Sequence, residues 1–170
     1  MGGNNLLGAT AGPCDQTKVE EREDVLVYST ASLEQDVEVT GPIKLILWAS
    51  SSARDTDFTG KLVDVYPDGK AYNLCDGIIR AQYRNGMENP LLLEPGQATR
   101  YEIDLWVTSN LFKHGHRIRV EVSSSNFPRF DRNPNSGKPF GTDIALLPAK
   151  QTILHDREHA SHLLLPMIPR

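Results

Sequence analysis

Residues 115–133 read GHRIRVEVSSSNFPRFDRN, and the first half of this stretch has the pattern of a β-strand. Charged and apolar side chains alternate from position 117 to position 122, which is the period of two of a half-buried strand. The second half is a loop in which Pro128 holds Phe127 extended and Phe130 follows closely. A loop with two phenylalanines is too apolar to be only a connection, so we expect its rings to be fixed against another surface.

Short β-type segments separated by turn residues continue on both sides of this stretch. Tyr66-Pro67-Asp68-Gly69 favours a type I turn, and the segments flanking it predict a hairpin. No segment of ten or more residues has a convincing amphipathic helical pattern. The sequence therefore predicts an all-β fold, an antiparallel β-sandwich, and long connections such as 84–96 favour the jelly-roll form. The predicted strands cover residues 25–29, 37–40, 43–50, 58–66, 70–76, 78–83, 101–107, 117–123, 151–155 and 161–165.

Length and composition limit the function classes. The 170 residues suit one domain, and the 18 Lys and Arg residues are scattered over a chain of net charge −4, which predicts no nucleic-acid surface. No apolar run approaches the roughly 18 residues of a membrane span, and residues 1–5 lack the pattern of a signal peptide. We expect a soluble, cytoplasmic protein with no membrane contact, in which Cys14 and Cys75 are free thiols.

The first 18 residues differ from the rest of the chain. They contain four glycines and Pro13 with little periodic hydrophobicity, which predicts a linker or docking arm at 1–18 and a jelly-roll domain at 19–170. The glycines do not form a phosphate-binding loop, because no Gly-Lys-Ser or Gly-Lys-Thr sequence follows them.

Histidines and carboxylates suggest three metal sites, and none of them is favoured by its context. His155-Asp156-Arg157-Glu158-His159 fits the zinc-peptidase pattern H-x-x-E-H, with His162 close by, but it lies between two predicted strands and is interpreted as a polar turn. A second pair of possible ligands flanks Gly115. Dispersed carboxylates around the first hairpin are a third candidate, for calcium. The histidine pair is His114 and His116. The carboxylates are those of Asp55, Asp57, Asp64, Asp68 and Asp76. We expect no metal and no cofactor.

Serine chemistry is also not indicated. Serines 50–52 and 123–125 lack the flanking glycines of a nucleophile turn, and the hydroxyls of serines 123–125 are expected to bond loop backbone. The sequence therefore predicts no catalytic residue. Trp48 and Trp106 lie in predicted strands, where tryptophan packs in a core or an interface, or forms a platform for sugar rings.

Six motifs, in order along the chain, resemble the C-terminal non-catalytic domain of the X-Pro dipeptidyl-peptidase and CocE/NonD serine hydrolases. The resemblance covers about residues 10 to 170 and implies a jelly-roll sandwich of galactose-binding-like shape, packed on an α/β-hydrolase domain that carries a Ser-Asp-His triad. The motifs are DVLVYST at 24–30, VTGP at 39–42, DTDFTGKLVDVYPDG at 55–69, GHRIR at 115–119, SSNFPRFDRN at 124–133 and HASHLLLP at 159–166.

The resemblance implies a parent serine hydrolase for X-Pro peptides or acyl esters and amides, whereas this chain alone is not expected to be catalytic. Its partner would be the missing α/β-hydrolase domain, and family relatives also have jelly-roll strands upstream of residues 1–15. We expect self-association of the chain through an exposed edge strand or an apolar docking face. The alternative function is a carbohydrate-binding module on the same scaffold.

Overall fold

The computed structural model describes residues 12–139 and 141–169, which form two antiparallel β-sheets and very little helix. One helical turn, α1, precedes the strands, and a 3-10 helix at Ala81–Tyr83 follows the fourth. In chain order the elements are α1 (Thr17–Glu20), β1 (Leu26–Ser29), β2 (Val37–Ser51), β3 (Asp57–Val65), β4 (Ala71–Arg80), β5 (Thr99–Phe112), β6 (Arg117–Ser123), β7 (Gln151–Leu154), β8 (His162–Leu164) and β9 (Met167–Ile168).

The strands divide between the two sheets by a Greek-key type of wiring. Sheet 1 has the order β1-β6-β3-β4, so the strand of the 115–133 stretch lies inside it, between β1 and β3. Sheet 2 is built on β2, which pairs with β5 along one edge and with β7, β8 and β9 in succession along the other. The prediction of an antiparallel all-β sandwich is confirmed, while the finer likeness to a galactose-binding domain stays a prediction.

The core fills the space between the sheets with one face of each long strand. Phe58 of β3 packs on Tyr101 of β5 with ring centroids 4.8 Å apart, and both side chains are fully buried. Residues 101, 103 and 105 of β5 are buried while their neighbours 100, 102 and 104 are exposed, as the alternation in the sequence predicts.

Three local predictions differ from the structure. Residues 37–40 and 43–50 form the single strand β2, because an irregularity in its pairing with β5 between Pro42 and Lys44 accommodates the Gly41-Pro42 break. Residues 70–76 and 78–83 likewise belong to β4 and the following 3-10 helix. The predicted strand 101–107 is too short, because β5 runs to Phe112 and stays paired with β2 up to that residue.

The described part of the predicted arm lies on the outer face of sheet 1. Asp15 forms an isolated bridge with Tyr72, and Gln16 donates its backbone N–H to the Ala71 carbonyl at 2.7 Å. Residues 1–11 lie outside the described residues, and the domain boundary at residue 18 stays a prediction.

Candidate docking surface

The two sides of the sandwich, where strands at the sheet edges face each other, are built differently. On one side, β4 of sheet 1 lies directly against β5 of sheet 2. Gly77 makes this approach possible, since a Cβ atom built there would lie 1.9 Å from the Asp104 carbonyl oxygen. Its pairing partner Gly60 is equally confined, with Leu45 Cδ2 2.7 Å from a built Cβ. We call this the closed side, and no side chain separates its two strands at Gly77.

The other side of the sandwich lies between β1 and the strands β7 and β8. Leu26 and Tyr28 of β1 pair with Val122 and Val120 of β6, so their side chains point to the same face as those residues, toward the interior. They are nevertheless 43% and 37% exposed, whereas Val122 is 3% exposed. The strands β7 and β8 therefore cover the inner face of β1 only in part, and we call this the open side.

A cleft of about 380 Å³ enters the sandwich from the open side. Its lining is largely aliphatic and comes from both sheets: Leu45, Leu47, Ile118, Val120, Val122, Ile153, Leu163 and Leu165. A second cleft of about 370 Å³ shares Val122 and Ile153 with the first and continues past Leu26 toward Asn135. Together they form an elongated groove beside an edge strand, apolar in the first cleft and with polar residues such as Ser123 and Gln151 in the second, a shape suited to another segment of protein.

Polar side chains stand at the rim of the groove. The Tyr28 and His155 rings meet edge to face with centroids 5.8 Å apart, and burial raises the pKa of Tyr28 above its ordinary value. Ser161, also at the rim, donates its hydroxyl to the Leu154 carbonyl at 2.5 Å. An apolar floor with a polar rim is the usual anatomy of a protein interface.

The loop of the 115–133 stretch is fixed to sheet 1 by its polar side chains. Asn126 donates to Asp76 at 2.7 Å, and Arg129 pairs with the same carboxylate. Asn133 donates to both Asp55 and Asp57, at 2.9 and 2.8 Å. The loop is therefore held by amide and guanidinium groups on buried carboxylates, and not chiefly by its aromatic rings.

The two phenylalanines of this loop are only partly covered. Phe127 is 52% exposed, with Arg132 stacked 4.5 Å above its ring, and Phe130 is half-buried. Phe127 therefore has no socket among the described residues.

The H-x-x-E-H sequence forms a turn between β7 and β8, as interpreted from its context. His159 stacks on Trp48 and contacts Asp156, whose pKa is lowered chiefly by the backbone N–H groups of His159 and Glu158. His162 bonds the Ala160 carbonyl at 2.7 Å through Nδ1. In the described residues no group of three His, Cys, Asp or Glu side chains could hold a metal ion.

His114 and His116, the second candidate pair of metal ligands, bind different parts of the protein. His116 lies buried with Nδ1 2.8 Å from Asp64 Oδ1 and its ring 4.4 Å from that of Tyr66. His114 contributes its backbone N–H to Asp36. His116 therefore joins the turn before β6 to the end of β3.

The acidic residues proposed as calcium ligands are divided among different partners. Asp55 accepts from Gln82 and Asn133, and Asp57 accepts from Arg80 at 2.9 Å. Asp68 accepts the backbone N–H of Lys70, and the partners of Asp64 and Asp76 are given above. Burial raises the pKa of Asp57, against the opposite effect of Arg80 and Asn133.

These serines bond mainly to backbone, which was predicted for 123–125. Ser51, Ser52 and Ser125 accept the backbone N–H groups of Ala53, Lys150 and Phe127. Ser123 pairs with Thr59 at 2.7 Å. That the chain carries no catalytic residue stays a prediction.

The sequence analysis did not identify Leu26 and Tyr28 as surface residues of special interest. Alternation shows that such residues point inward, but it carries no signal for whether an opposing wall exists.

Comparison with known proteins bears on what covers the open side. Residues 4–164 match the family model of the X-Pro dipeptidyl-peptidase C-terminal non-catalytic domain. The chain belongs to this family. The cocaine esterase of Rhodococcus sp. (strain MB1 Bresler) contains a relative of this C-terminal domain that is 51% identical over 173 residues, covering all of this chain and 30% of the esterase.

Two solved structures contain the same C-terminal domain fold. An α-amino acid ester hydrolase matches with a TM-score of 0.90 and 30% identity, over 97% of this chain and 29% of that protein. An aminopeptidase from the marine sediment archaeon Thaumarchaeota archaeon matches with a TM-score of 0.83 and 32% identity, over 92% and 28%. The C-terminal domain described here thus spans less than a third of the length of each of these proteins.

No helix in residues 12–139 and 141–169 has the length and apolar character needed to cross a membrane.

Proposed function

We propose that this non-catalytic C-terminal domain supports an α/β-hydrolase domain and contacts it through the open side of the sandwich. The observation that carries the proposal is the exposure of Leu26 and Tyr28, two side chains of the inner face that the described residues cover only in part. A strand edge beside an apolar groove offers both backbone hydrogen bonds and apolar area to a partner.

The names of the relatives support a parent enzyme that cleaves acyl esters or amides. They are an esterase, an ester hydrolase and an aminopeptidase, and this domain accounts for 30% or less of each. We propose that the parent is a serine hydrolase for X-Pro peptides or acyl esters and amides, with its triad in the hydrolase domain.

The docking proposal is tested by binding to a hydrolase domain expressed separately. A suitable partner is the part of the Rhodococcus cocaine esterase outside the matched region, titrated calorimetrically. Leu26→Glu should weaken binding by at least about tenfold, because a carboxylate in an apolar contact loses its hydration. Val107→Glu is the matched control, since Val107 is 66% exposed on β5 of the closed side. Equal effects of the two substitutions would overturn the assignment of the interface.

Self-association would use the same surface. In the absence of a hydrolase domain, the open sides of two copies could cover each other, and the free edge of β1 could pair with its counterpart. Light scattering should then show dimers that Leu26→Glu dissociates. A monomer at high micromolar concentration would leave the hydrolase domain as the partner of this surface.

A carbohydrate-binding function is the second candidate, and Trp106 is the observation that favours it. Its side chain is 66% exposed, and its backbone has φ of 72°, an unusual conformation for a bulky residue. Trp48 is half-buried against His159 and offers less ring surface. Saturable binding on a glycan array that Trp106→Ala abolishes would support this function, and unchanged binding by the variant would contradict it.

A cytoplasmic location is also part of the proposal. Both cysteines are free, which fits a reducing compartment.

A further inference from the structure

Residues 14–20 form a cover over the outer face of sheet 1. Cys14 and Asn73 exchange two hydrogen bonds, at 2.8 and 3.3 Å, and α1 begins directly after Gln16. The Gln16 side chain is fully buried, and its Oε1 accepts from Lys61 Nζ at 3.0 Å. This arm is therefore bonded to both β3 and β4.

Three pairs of ionisable side chains lie beneath and beside the arm. Lys61 of β3 and Glu121 of β6 lie on the outer face of the sheet, with 9% and 3% of their side chains exposed and 3.5 Å between Lys61 Nζ and Glu121 Oε2. Glu20 of α1 pairs with Arg119 of β6 at 2.5 Å. Arg22, which follows α1 and lines the same small cavity as Glu121, pairs with Asp24.

Glu121 is poorly accommodated as a carboxylate in this place. Both of its oxygens are buried without a hydrogen-bond partner, and Glu20 Oε1 is also buried and unpartnered. A buried carboxylate without hydrogen bonds is costly, and a second carboxyl group close to it favours one shared proton. The arm supplies the second carboxyl group, Glu20 of α1, and through Val19 it supplies part of the cover over Glu121.

We propose that Glu121 is a proton-operated latch, which holds residues 14–20 on the sheet when it is protonated and loosens them when its proton is released to solvent. Glu20 approaches Glu121 when the arm closes and leaves it when the arm opens, while Lys61 and Arg119 stay on the sheet.

The direction of the pH effect follows from the pKa of Glu121. Burial raises this pKa, Lys61 lowers it, and Glu20 raises it further, with a net rise. The covered state therefore binds more protons than the open state. Its extra stability is fully present below the ordinary glutamate pKa of about 4.3 and is lost as the pH rises through the higher value of the covered state.

Hydrogen exchange of the Gln16 backbone amide measures the latch directly, because this N–H bonds the Ala71 carbonyl when the arm is closed. After correction for the intrinsic exchange rate, its protection in the wild-type chain should fall as the pH rises from the ordinary glutamate pKa of about 4.3 through the higher value of the covered state, about tenfold for each pKa unit gained on closure. Glu121→Gln, which is neutral at every pH, should keep the protection constant. The backbone amide of Leu62 in β3 reports whether the sheet itself opens.

Two further variants separate the latch from a general effect of charge. Glu102→Gln removes a carboxylate from the exposed pair with Lys44 and should leave the pH profile unchanged. Glu20→Gln removes the second carboxyl group and should move the midpoint to lower pH. Wild-type protection that does not change with pH, or that falls equally in Glu121→Gln, would overturn the proposal, and so would a midpoint unmoved by Glu20→Gln.

Discussion

The closed and open sides of the sandwich differ in how completely the inner faces of their edge strands are covered. On the closed side two strands from different sheets touch at backbone level, because Gly77 leaves room for the Asp104 carbonyl. On the open side the inner face of β1 points into a cleft whose other wall, formed by β7 and β8, leaves Leu26 and Tyr28 partly exposed. In the part of the chain that the structure describes, the two sheets meet on the closed side, whereas the open side leaves interior side chains partly uncovered.

The difference shows that an inward-facing residue is not always a stabilising one. Burial depends on a second layer, and apolar side chains contribute to folding in proportion to the area they remove from water. Leu105 and Leu163 both point into the sandwich, yet Leu105 is fully buried and Leu163 lines the cleft.

The largest loss of stability is expected for Gly77→Val on the closed side. A side chain at this position meets backbone, which cannot rotate away, so β4 and β5 must separate. We expect a cost of about 3 kcal/mol or more in the free energy of unfolding, measured by urea denaturation. Gly69→Ala is the control, because a Cβ there meets nothing within 4 Å and only its φ of +90° is strained. A cost as small as that of the control would show that the strands are not in contact.

The same deletion on the two sides should have unequal effects. Leu105→Ala leaves a cavity in a sealed core and should cost about 3–5 kcal/mol, whereas Leu163→Ala only widens an open cleft and should cost about 1 kcal/mol. Urea denaturation of both variants checks this difference. Equal costs would mean that the open side is sealed in solution, for example by a second copy, and repeating the measurement at several protein concentrations would reveal it.

Replacement of Phe127 by alanine tests whether the loop beyond β6 belongs to the sandwich or to a partner. Because the ring is 52% exposed, Phe127→Ala should cost less than about 1 kcal/mol in this chain. Phe58→Ala, which removes a buried ring, should cost about 3–5 kcal/mol. If Phe127→Ala also lost several kcal/mol, the ring would have a socket within the domain.

The two thiols provide the mildest probe of the closed side. Burial, and then the charge of Asp76, raises the pKa of Cys75 on β4 to about 12. A thiol reagent at about pH 8 should therefore label Cys14 and leave Cys75 unreacted until the protein unfolds. The protonated Cys75 favours the folded state below the ordinary cysteine pKa of about 8.5, and this contribution is lost as the pH rises toward 12. Rapid labelling of Cys75 in the native chain would indicate that the closed side opens.

Much of the fold follows from the period of two in the sequence. Alternation identified the residues of β5 and β6 that face the core, and Tyr66-Pro67-Asp68-Gly69 identified the β3–β4 hairpin. Strand boundaries were predicted wrongly where the pattern is interrupted but the pairing continues. At Gly41-Pro42 the strand β2 continues because it stays paired with β5 along one edge. Local pattern cannot report such long-range support.

The candidate site was less predictable for the same reason. Alternation gives the direction of Leu26 and Tyr28, but the presence or absence of an opposing layer depends on chain topology. The carboxylates that appeared dispersed in the sequence are joined to distant amide, guanidinium and imidazole groups, as in the pair of Asp64 and His116, 52 residues apart. Residue type suggested metal ligands, whereas in the tertiary structure these carboxylates accept from protein donors, with Asn133 shared by Asp55 and Asp57.

The length of β2 has a mechanical consequence. Its one edge holds β7, β8 and β9 as three separate short ladders, joined by unpaired chain, so that Ser51, Lys44 and Val39 each anchor a different part of residues 151–168. Tension applied to the C-terminal end should detach the three strands in separate steps, β9 first, then β8, then β7. The opposite edge of β2, paired continuously with β5 from Val37 to Ala49 apart from its one irregularity, would have to yield as a single unit.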